Sequence, residues 1–110
     1  MIADMALKHE AARLLTFQAA RFKDKGVRFS REAAMAKLFA SESAMWIATK
    51  AIQVHGGYGF TDEFAVSRFF RGARYGSLGG GTTETLRNLV ARKLVEDLDL
   101  ATGCFGMGTF

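Results

Sequence analysis

The stretch from residue 33 to residue 54 most constrains the fold, because its apolar side chains surround almost the whole circumference of one helix. Its main stripe has spacings of three and four residues and consists of Ala34, Leu38, Ser41, Met45, Ala48 and Ile52. Phe39, Trp46 and Ile47 lie elsewhere on the same cylinder. A helix that is apolar on several sides is buried on several sides, so we predict that this helix is the centre of a bundle.

Further helices are predicted on both sides of this segment, and no proline occurs anywhere in the 110 residues. The first covers residues 1–25 and ends at Gly26, which favours a left-handed terminating conformation. Its packing face is predicted to comprise Leu7, Ala11, Leu14, Gln18 and Phe22, widened by Leu15 and Ala19.

The ends of the remaining helices are predicted from capping residues. The central helix is expected to begin after a Ser30 cap and to end at Gly56 and Gly57. A short helix is expected to start from Thr61 or Asp62, and a last long helix from Thr82 or Thr83.

The predicted fold class is therefore all-α, an up-and-down helical bundle of three long helices and one short helix. It occupies residues 1–100, and residues 101–110 are interpreted as a tail. The central helix has more apolar faces than these neighbours can cover. This imbalance predicts a bundle that lacks some of its members, or an oligomer.

Composition excludes several classes of function. The single Cys104 allows no internal disulfide and no cysteine zinc site, which favours a reducing compartment such as the cytoplasm. Residues 1–25 carry charges throughout, unlike a secretory signal, and no apolar run reaches the roughly 18 residues of a membrane span. The net charge of +4 comes without a nucleic-acid motif and is assigned to solvated helix faces.

Two glycine-rich motifs carry most of the functional information. Gln53 precedes Gly56 and Gly57, an arrangement that suits either a plain helix end or a close approach of backbone to a ligand. Residues 81–84 read GTTE at a predicted helix start. That start suits either simple capping by a threonine or contact with an anion or a polar cofactor edge. His9 and His55 are too isolated to predict a metal site or a catalytic role.

Four blocks in a fixed order resemble the closing region of acyl-CoA dehydrogenases. The blocks are AIQVHGGYGF at 51–60, RFFRGAR at 68–74, GTTE at 81–84 and the AR pair at 91–92. The segments IADMALKHEAARLL at 2–15 and MAKLFASESA at 35–44 are similar to the two preceding helices of that family. The resemblance extends from residue 2 to about residue 98 and implies the family's C-terminal helical domain.

The resemblance implies two sets of positions that contact FAD. The set at residues 53–57 is implied to reach an FAD that is held mainly by a neighbouring subunit. The positions of both sets are Gln53, Val54, His55, Gly56, Gly57, Thr82, Thr83 and Glu84. Gly81 is implied to lie along the acyl thioester. The family usually has an aspartate where this chain has Gly72, beside a row of arginines that suits either surface salt bridges or an anion.

Many members of the family place a catalytic glutamate immediately before the GT motif, where this chain has Gly80. Other branches have a small residue there and take the base from an earlier helix, which would lie upstream of Met1. No catalytic residue is therefore assigned within these residues.

The implied parent is an oxidoreductase that oxidises acyl-CoA thioesters at their α and β carbons in fatty-acid or branched-chain catabolism, with electron-transfer flavoprotein as partner. The chain alone is expected to be inactive. The alternatives are a flavin monooxygenase-like relative that lacks the base, and a non-catalytic helical module for homo-oligomer formation.

Overall fold

The computed structural model of the protein describes residues 1–102, and this part of the chain is helical without strands. The elements in order are α1 (Ile2–Asp24), α2 (Ser30–His55), a 3₁₀ helix (Gly56–Phe60), α3 (Ala65–Gly76) and α4 (Thr83–Thr102). The predicted all-α fold, with three long helices and one short helix, is confirmed.

Helix α2 is the centre of the bundle, since α1, α3, α4 and the 3₁₀ helix all pack against it. Its predicted stripe is confirmed: Ala34, Ser41 and Ala48 are buried, and the larger members of the stripe are half-buried. The small residues let neighbouring backbones approach α2 closely, while the larger side chains fill the grooves beside them.

The predicted packing face of α1 is partly confirmed and partly wrong. Leu15, Ala19 and two other predicted members, Ala11 and Phe22, are buried or half-buried. Leu7 and Leu14 instead point outward, with 70% and 57% of their surface exposed. All of these residues have helical spacing, and only contact with α2 shows which of them are covered.

The predicted helix ends are confirmed at glycines and wrong at two caps. Gly26 follows α1 with a φ of 69°, and Gly56 follows α2 with a φ of 63°. Ser30 is already the first helical residue of α2 and makes no capping hydrogen bond. Helix α3 begins only at Ala65 and has no side-chain cap, so neither Thr61 nor Asp62 caps it.

The core is thin. Its buried apolar residues are Ala19, Ala34, Ala36, Ala48, Val66 and Leu86. No large side chain in the described part is fully buried, and this part measures 58 × 28 × 22 Å. Because α1, α3 and α4 each pack on α2 but not on one another in this part of the chain, many large apolar side chains remain at the surface.

Salt bridges join the C-terminal half of α4 to the start of α2 and the residues just before it. Arg31 Nη1 lies 2.5 Å from Asp97 Oδ2, and Arg28 Nη2 lies 3.3 Å from Glu96 Oε2. The pKa of Glu96 is lowered, mainly because Lys93 donates a hydrogen bond of 2.7 Å to it. Helix α4 runs two residues past the predicted domain boundary at residue 100, and residues 103–110 of the predicted tail lie outside the described residues.

The part of the chain that the structure describes contains neither a membrane-spanning helix nor a cluster of metal ligands. No helix there is long and apolar enough to cross a membrane. Nor do three or more histidine, cysteine, aspartate or glutamate side chains gather there as a metal centre would require.

Candidate functional site

Residues 76–84 connect α3 to α4 and are called here the second glycine turn. Gly80 and Gly81 have φ angles of 70° and 101°, a region that residues with a side chain rarely adopt. These two positive angles reverse the chain so that α4 starts beside the middle of α2. The turn therefore favours glycine at both positions.

Thr82 caps α4, which settles the choice between the two predicted threonines. Its Oγ1 accepts a hydrogen bond of 3.3 Å from the Thr85 backbone N–H and lies 2.9 Å from Thr85 Oγ1. This cap satisfies one of the first amides of the helix, which have no acceptor inside it. The same first turn carries the positive end of the helix dipole.

Glu84 occupies the first turn of α4 and is exposed. Its pKa is lowered, chiefly because its own backbone N–H donates a hydrogen bond to the carboxylate, with a further one from the Thr83 hydroxyl. The carboxylate is thus folded back onto its own helix start. The lowered pKa keeps Glu84 ionised and makes it a weaker acceptor for a proton.

A cleft of about 390 Å³ opens between α2, the end of α3 and the start of α4. It is lined by Glu42, Met45, Trp46, Thr49, Arg74, Ser77, Leu78, Thr83 and Glu84. An ion pair between Glu42 and Arg87 ties α2 to α4 at this cleft. Two of the predicted cofactor residues, Thr83 and Glu84, therefore face a groove rather than open surface.

Residues 53–60 form the other candidate segment, called here the first glycine turn. Gly59 is buried in it, and a Cβ atom at this position would lie 2.6 Å from the Ile52 carbonyl oxygen. The 3₁₀ helix can therefore fold back onto α2 only with glycine there. Phe64 braces it from the other side, with ring centroids 5.5 Å from Tyr58 and 6.3 Å from His55.

The predicted cofactor residues of the first glycine turn are exposed as a group, namely Gln53, Val54, His55, Gly56 and Gly57. Neither Gly56 nor Gly57 has another atom within 4 Å of where a Cβ would stand. His55 donates from Nδ1 to the Ala51 carbonyl oxygen at 2.8 Å. The backbone at Gly56 and Gly57 is therefore open to close approach by a ligand.

The two turns lie along one side of α2. Thr49 lines the cleft together with Thr83, and Gln53 stands four residues further along α2. Residues four apart on a helix share a face and are separated by about 6 Å along its axis. Gln53 does not line the cleft itself, so the structure places the two groups in succession rather than in one pocket.

The structure also places Gly80, where many family members have the catalytic glutamate, and the arginines of residues 68–74. Gly80 is exposed, and a Cβ there would lie 3.7 Å from Lys37 Cε. Among the arginines, Arg71 pairs with Asp62 at 3.5 Å on the surface, whereas Arg74 lines the cleft. The row therefore divides between the surface pairing favoured from the sequence and the cleft.

Sequence reasoning missed the cleft residues on α2. The signal was available, since Thr49, Met45 and Glu42 precede Gln53 at intervals of four, four and three residues. It was masked because the central helix is apolar nearly all round, so no single face stood out as the one that remains open.

Comparison with known proteins identifies the family. The sequence model of the family described as "Acyl-CoA dehydrogenase, C-terminal domain" matches residues 1–95. Cyclohexane-1-carbonyl-CoA dehydrogenase of Geobacter metallireducens is 44% identical over 97 residues, which are 88% of this chain and 26% of that protein.

Two further relatives extend the comparison. The "Caffeyl-CoA reductase-Etf complex subunit CarC" of Acetobacterium woodii is 42% identical over 87% of this chain and 25% of its own length. The solved structure of butyryl-CoA dehydrogenase from Megasphaera elsdenii has a TM-score of 0.83 and 40% identity, covering 84% of this chain and 24% of that one. The chain thus spans about a quarter of the length of these relatives.

Proposed function

Because the chain belongs to the acyl-CoA dehydrogenase family, as its C-terminal domain, we propose that the full-length protein is a flavin-dependent acyl-CoA dehydrogenase. Its reaction breaks one C–H bond at Cα and one at Cβ of an acyl-CoA thioester and forms the double bond between them. When bound, FAD supplies the acceptor for the hydride from Cβ. The observation that carries the proposal is the family match over residues 1–95, which includes both glycine turns.

The first glycine turn supplies one set of FAD contacts. Gln53 offers two amide donors and one acceptor from an exposed position at the end of α2. Gly56 and Gly57 leave the backbone open beside it, and Val54 and His55 complete the exposed segment. These residues fit the polar edge of a cofactor that is held mainly by a neighbouring subunit.

The second glycine turn supplies the other set. Thr83 and Glu84 place a hydroxyl and a carboxylate along the cleft, and Thr82 caps the helix beside them. That donor and acceptor set fits the polar parts of FAD, and the positive end of the helix favours partial negative charge on the ligand. Gly81 then lies along the acyl thioester, where its lack of a side chain allows close approach.

The base that removes the α-proton comes from a segment of the protein outside this chain. Gly80 has no side chain, and Glu84 is committed to its own helix start. A carboxylate brought from another helix must stand within hydrogen-bond reach of the α-proton in a site that excludes water. Replacing that carboxylate by its amide is expected to abolish flavin reduction while acyl-CoA binding survives. Gly80→Glu in this background is expected to restore part of the activity.

Homo-oligomer formation accounts for the uncovered faces of the bundle. A groove of about 360 Å³ runs between α1 and α2 beside Phe17 and Ile47, and its walls are chiefly apolar. Phe17 exposes 53% of its surface there. Each large apolar side chain left in water costs on the order of 1.5–3 kcal/mol relative to burial. In the full protein these faces meet its other helices and neighbouring subunits.

Two further parts of the proposal concern the setting of the full-length protein. Electron-transfer flavoprotein accepts the electrons from its reduced flavin, and the protein is located in the cytoplasm.

Two experiments on the isolated chain test this account of its surfaces. Light scattering over a dilution series should show association, because the apolar faces remain uncovered; a clean monomer at high concentration would argue against it. After incubation with excess FAD, the purified chain should carry none, because each turn addresses only one edge of the cofactor. A stoichiometric flavin absorbance in the protein peak would refute this second expectation.

The activity is tested on the full-length protein under anaerobic conditions. The purified protein should be yellow, and adding acyl-CoA should bleach the flavin absorbance as the cofactor is reduced. A bound flavin that no acyl-CoA reduces would instead favour the monooxygenase-like alternative. A colourless full-length oligomer that does not take up FAD would favour the non-catalytic module.

A further inference from the structure

Lys37 is a charged residue of α2 for which the proposed function gives no role. It stands between buried Ala36 and half-buried Leu38 and is itself half-buried. Its Nζ donates a hydrogen bond to the carbonyl oxygen of Gly76, the last residue of α3. Carbonyls in the last turn of a helix lack partners within the helix and carry the negative end of its dipole. The ammonium therefore fixes the end of α3 onto α2.

The same side chain also contacts the middle of the turn. A Cβ atom on Gly80 would stand 3.7 Å from Lys37 Cε, which places the Gly80 backbone against the lysine stem. A Cβ on Gly76 would lie 3.8 Å from Ser41 Cβ, one helical turn along the same face of α2. Residues 76 and 80 thus rest on one strip of α2, and Lys37 touches both.

We propose that Lys37 is a positioning residue, which sets the distance between the second glycine turn and α2. It thereby directs Gly81, Thr82 and Glu84 toward the cofactor and the acyl thioester. The inference rests on the proposed function, because Lys37 itself contacts neither ligand. The positive φ angles of Gly80 and Gly81 give the turn its shape. The contacts of Lys37 with Gly76 and Gly80 fix that shape relative to α2 and so determine where the start of α4 points.

The test compares two half-buried lysines in the full-length protein. Lys37→Met keeps the apolar stem beside Gly80 and removes the ammonium that binds Gly76. Lys93→Met is the matched control, since Lys93 is also half-buried and makes one hydrogen bond, of 2.7 Å to Glu96, far from the turn. The measurements are FAD per subunit, melting temperature, and the rate and concentration dependence of flavin reduction by acyl-CoA.

We expect Lys37→Met to retain FAD and to reduce its flavin about ten- to a hundredfold more slowly at saturating acyl-CoA, as a misplacement near 1 Å can cause. Lys93→Met should reduce its flavin at the wild-type rate. Lys37→Arg, which keeps a cation and a donor, should recover part of the lost rate. If Lys37→Met does not fold, Lys37→Gln, which stays polar but is too short to reach Gly76, should show the same selective loss.

Three results would overturn the inference. The first is flavin reduction within twofold of wild type in a folded Lys37→Met or Lys37→Gln protein. The second is an equal loss of rate in Lys93→Met, which would show that any lost lysine contact slows the protein. The third is a wild-type flavin that acyl-CoA does not reduce. That result defeats the proposed function itself and is recognised before any variant is measured.

Discussion

The two glycine turns have similar compositions but are held in shape by different forces. The first turn is fixed by steric fit, because Gly59 packs directly on the Ile52 carbonyl oxygen. The second is fixed by backbone preference and polar contacts, through positive φ at Gly80 and Gly81 and the Thr82 cap. Substitutions should therefore destabilise the first turn through the volume of the added side chain. They should destabilise the second turn through the strain of an L-residue at positive φ, or through a lost hydrogen bond. Each change below is compared in the 110-residue chain at one protein concentration, using urea denaturation followed by the fluorescence of Trp46.

The largest effect is expected from Gly59→Ala. A Cβ at 2.6 Å from backbone must displace the 3₁₀ helix from α2, at a cost of about 3 kcal/mol in the free energy of unfolding. Gly57→Ala is the control, since that Cβ would meet no atom within 4 Å. It should change the free energy by less than about 0.5 kcal/mol. Equal losses in the two variants would show that steric fit does not distinguish this turn.

Gly81→Ala should have the next largest effect. A φ of 101° is strained for alanine, and the new methyl would also stand 3.4 Å from Leu86 Cδ2. The combined cost is expected to be about 2 kcal/mol. Gly72→Ala supplies the comparison within helix α3, where the Cβ meets nothing within 4 Å. It should stabilise the chain by about 0.5–1 kcal/mol. A Gly81→Ala chain as stable as wild type would disprove the backbone argument.

Thr82→Ala should destabilise by about 1 kcal/mol, because the Thr85 amide loses its acceptor. Thr16→Ala removes a hydroxyl that only donates back to the Ala12 carbonyl oxygen within α1. Such a bond adds little to a helix, so this control should stay within about 0.5 kcal/mol of wild type. The cap has no special role if both threonines prove equally replaceable.

The smallest effect concerns Glu84 and pH. The pKa of Glu84 is lowered in the folded chain, so the ionised carboxylate stabilises the fold at pH values above the ordinary pKa of 4.5. That contribution is lost as the pH falls through the lowered pKa. Glu84→Gln should therefore be less stable than wild type at pH 7, and the difference should shrink in acid. A difference that grows on acidification would contradict the assigned cause.

The two turns also show what could be predicted from the sequence. Helix ends at Gly26 and Gly56 were predictable because a left-handed terminus requires little beyond a glycine. The 3₁₀ helix was not predicted, since its fold depends on contact between Gly59 and Ile52 rather than on local preference. The predicted face of α1 was too wide for a related reason: Leu7 and Leu15 both fit a helical stripe, and only packing on α2 shows that Leu15 is covered and Leu7 is not.

The candidate site divides in the same way. The resemblance to the family proposes Gln53, Gly57 and Thr82 as ligand contacts without any structure. The contacts of Lys37 and the cleft beside Thr49 depend on which faces of α2 remain open, and this follows only from packing. Motifs in the sequence therefore suggest candidate ligand contacts more readily than the packing contacts around them.

The central claim is that both turns contact one kind of ligand, FAD, in the full-length protein. Its most direct test is the FAD dissociation constant of the wild type, Gln53→Ala and Glu84→Ala, with Gln18→Ala on exposed α1 surface as the control. Losing one hydrogen bond in each site variant should weaken FAD binding about tenfold, which corresponds to 1–2 kcal/mol, while Gln18→Ala binds as the wild type does. Wild-type affinity in both site variants would contradict the account.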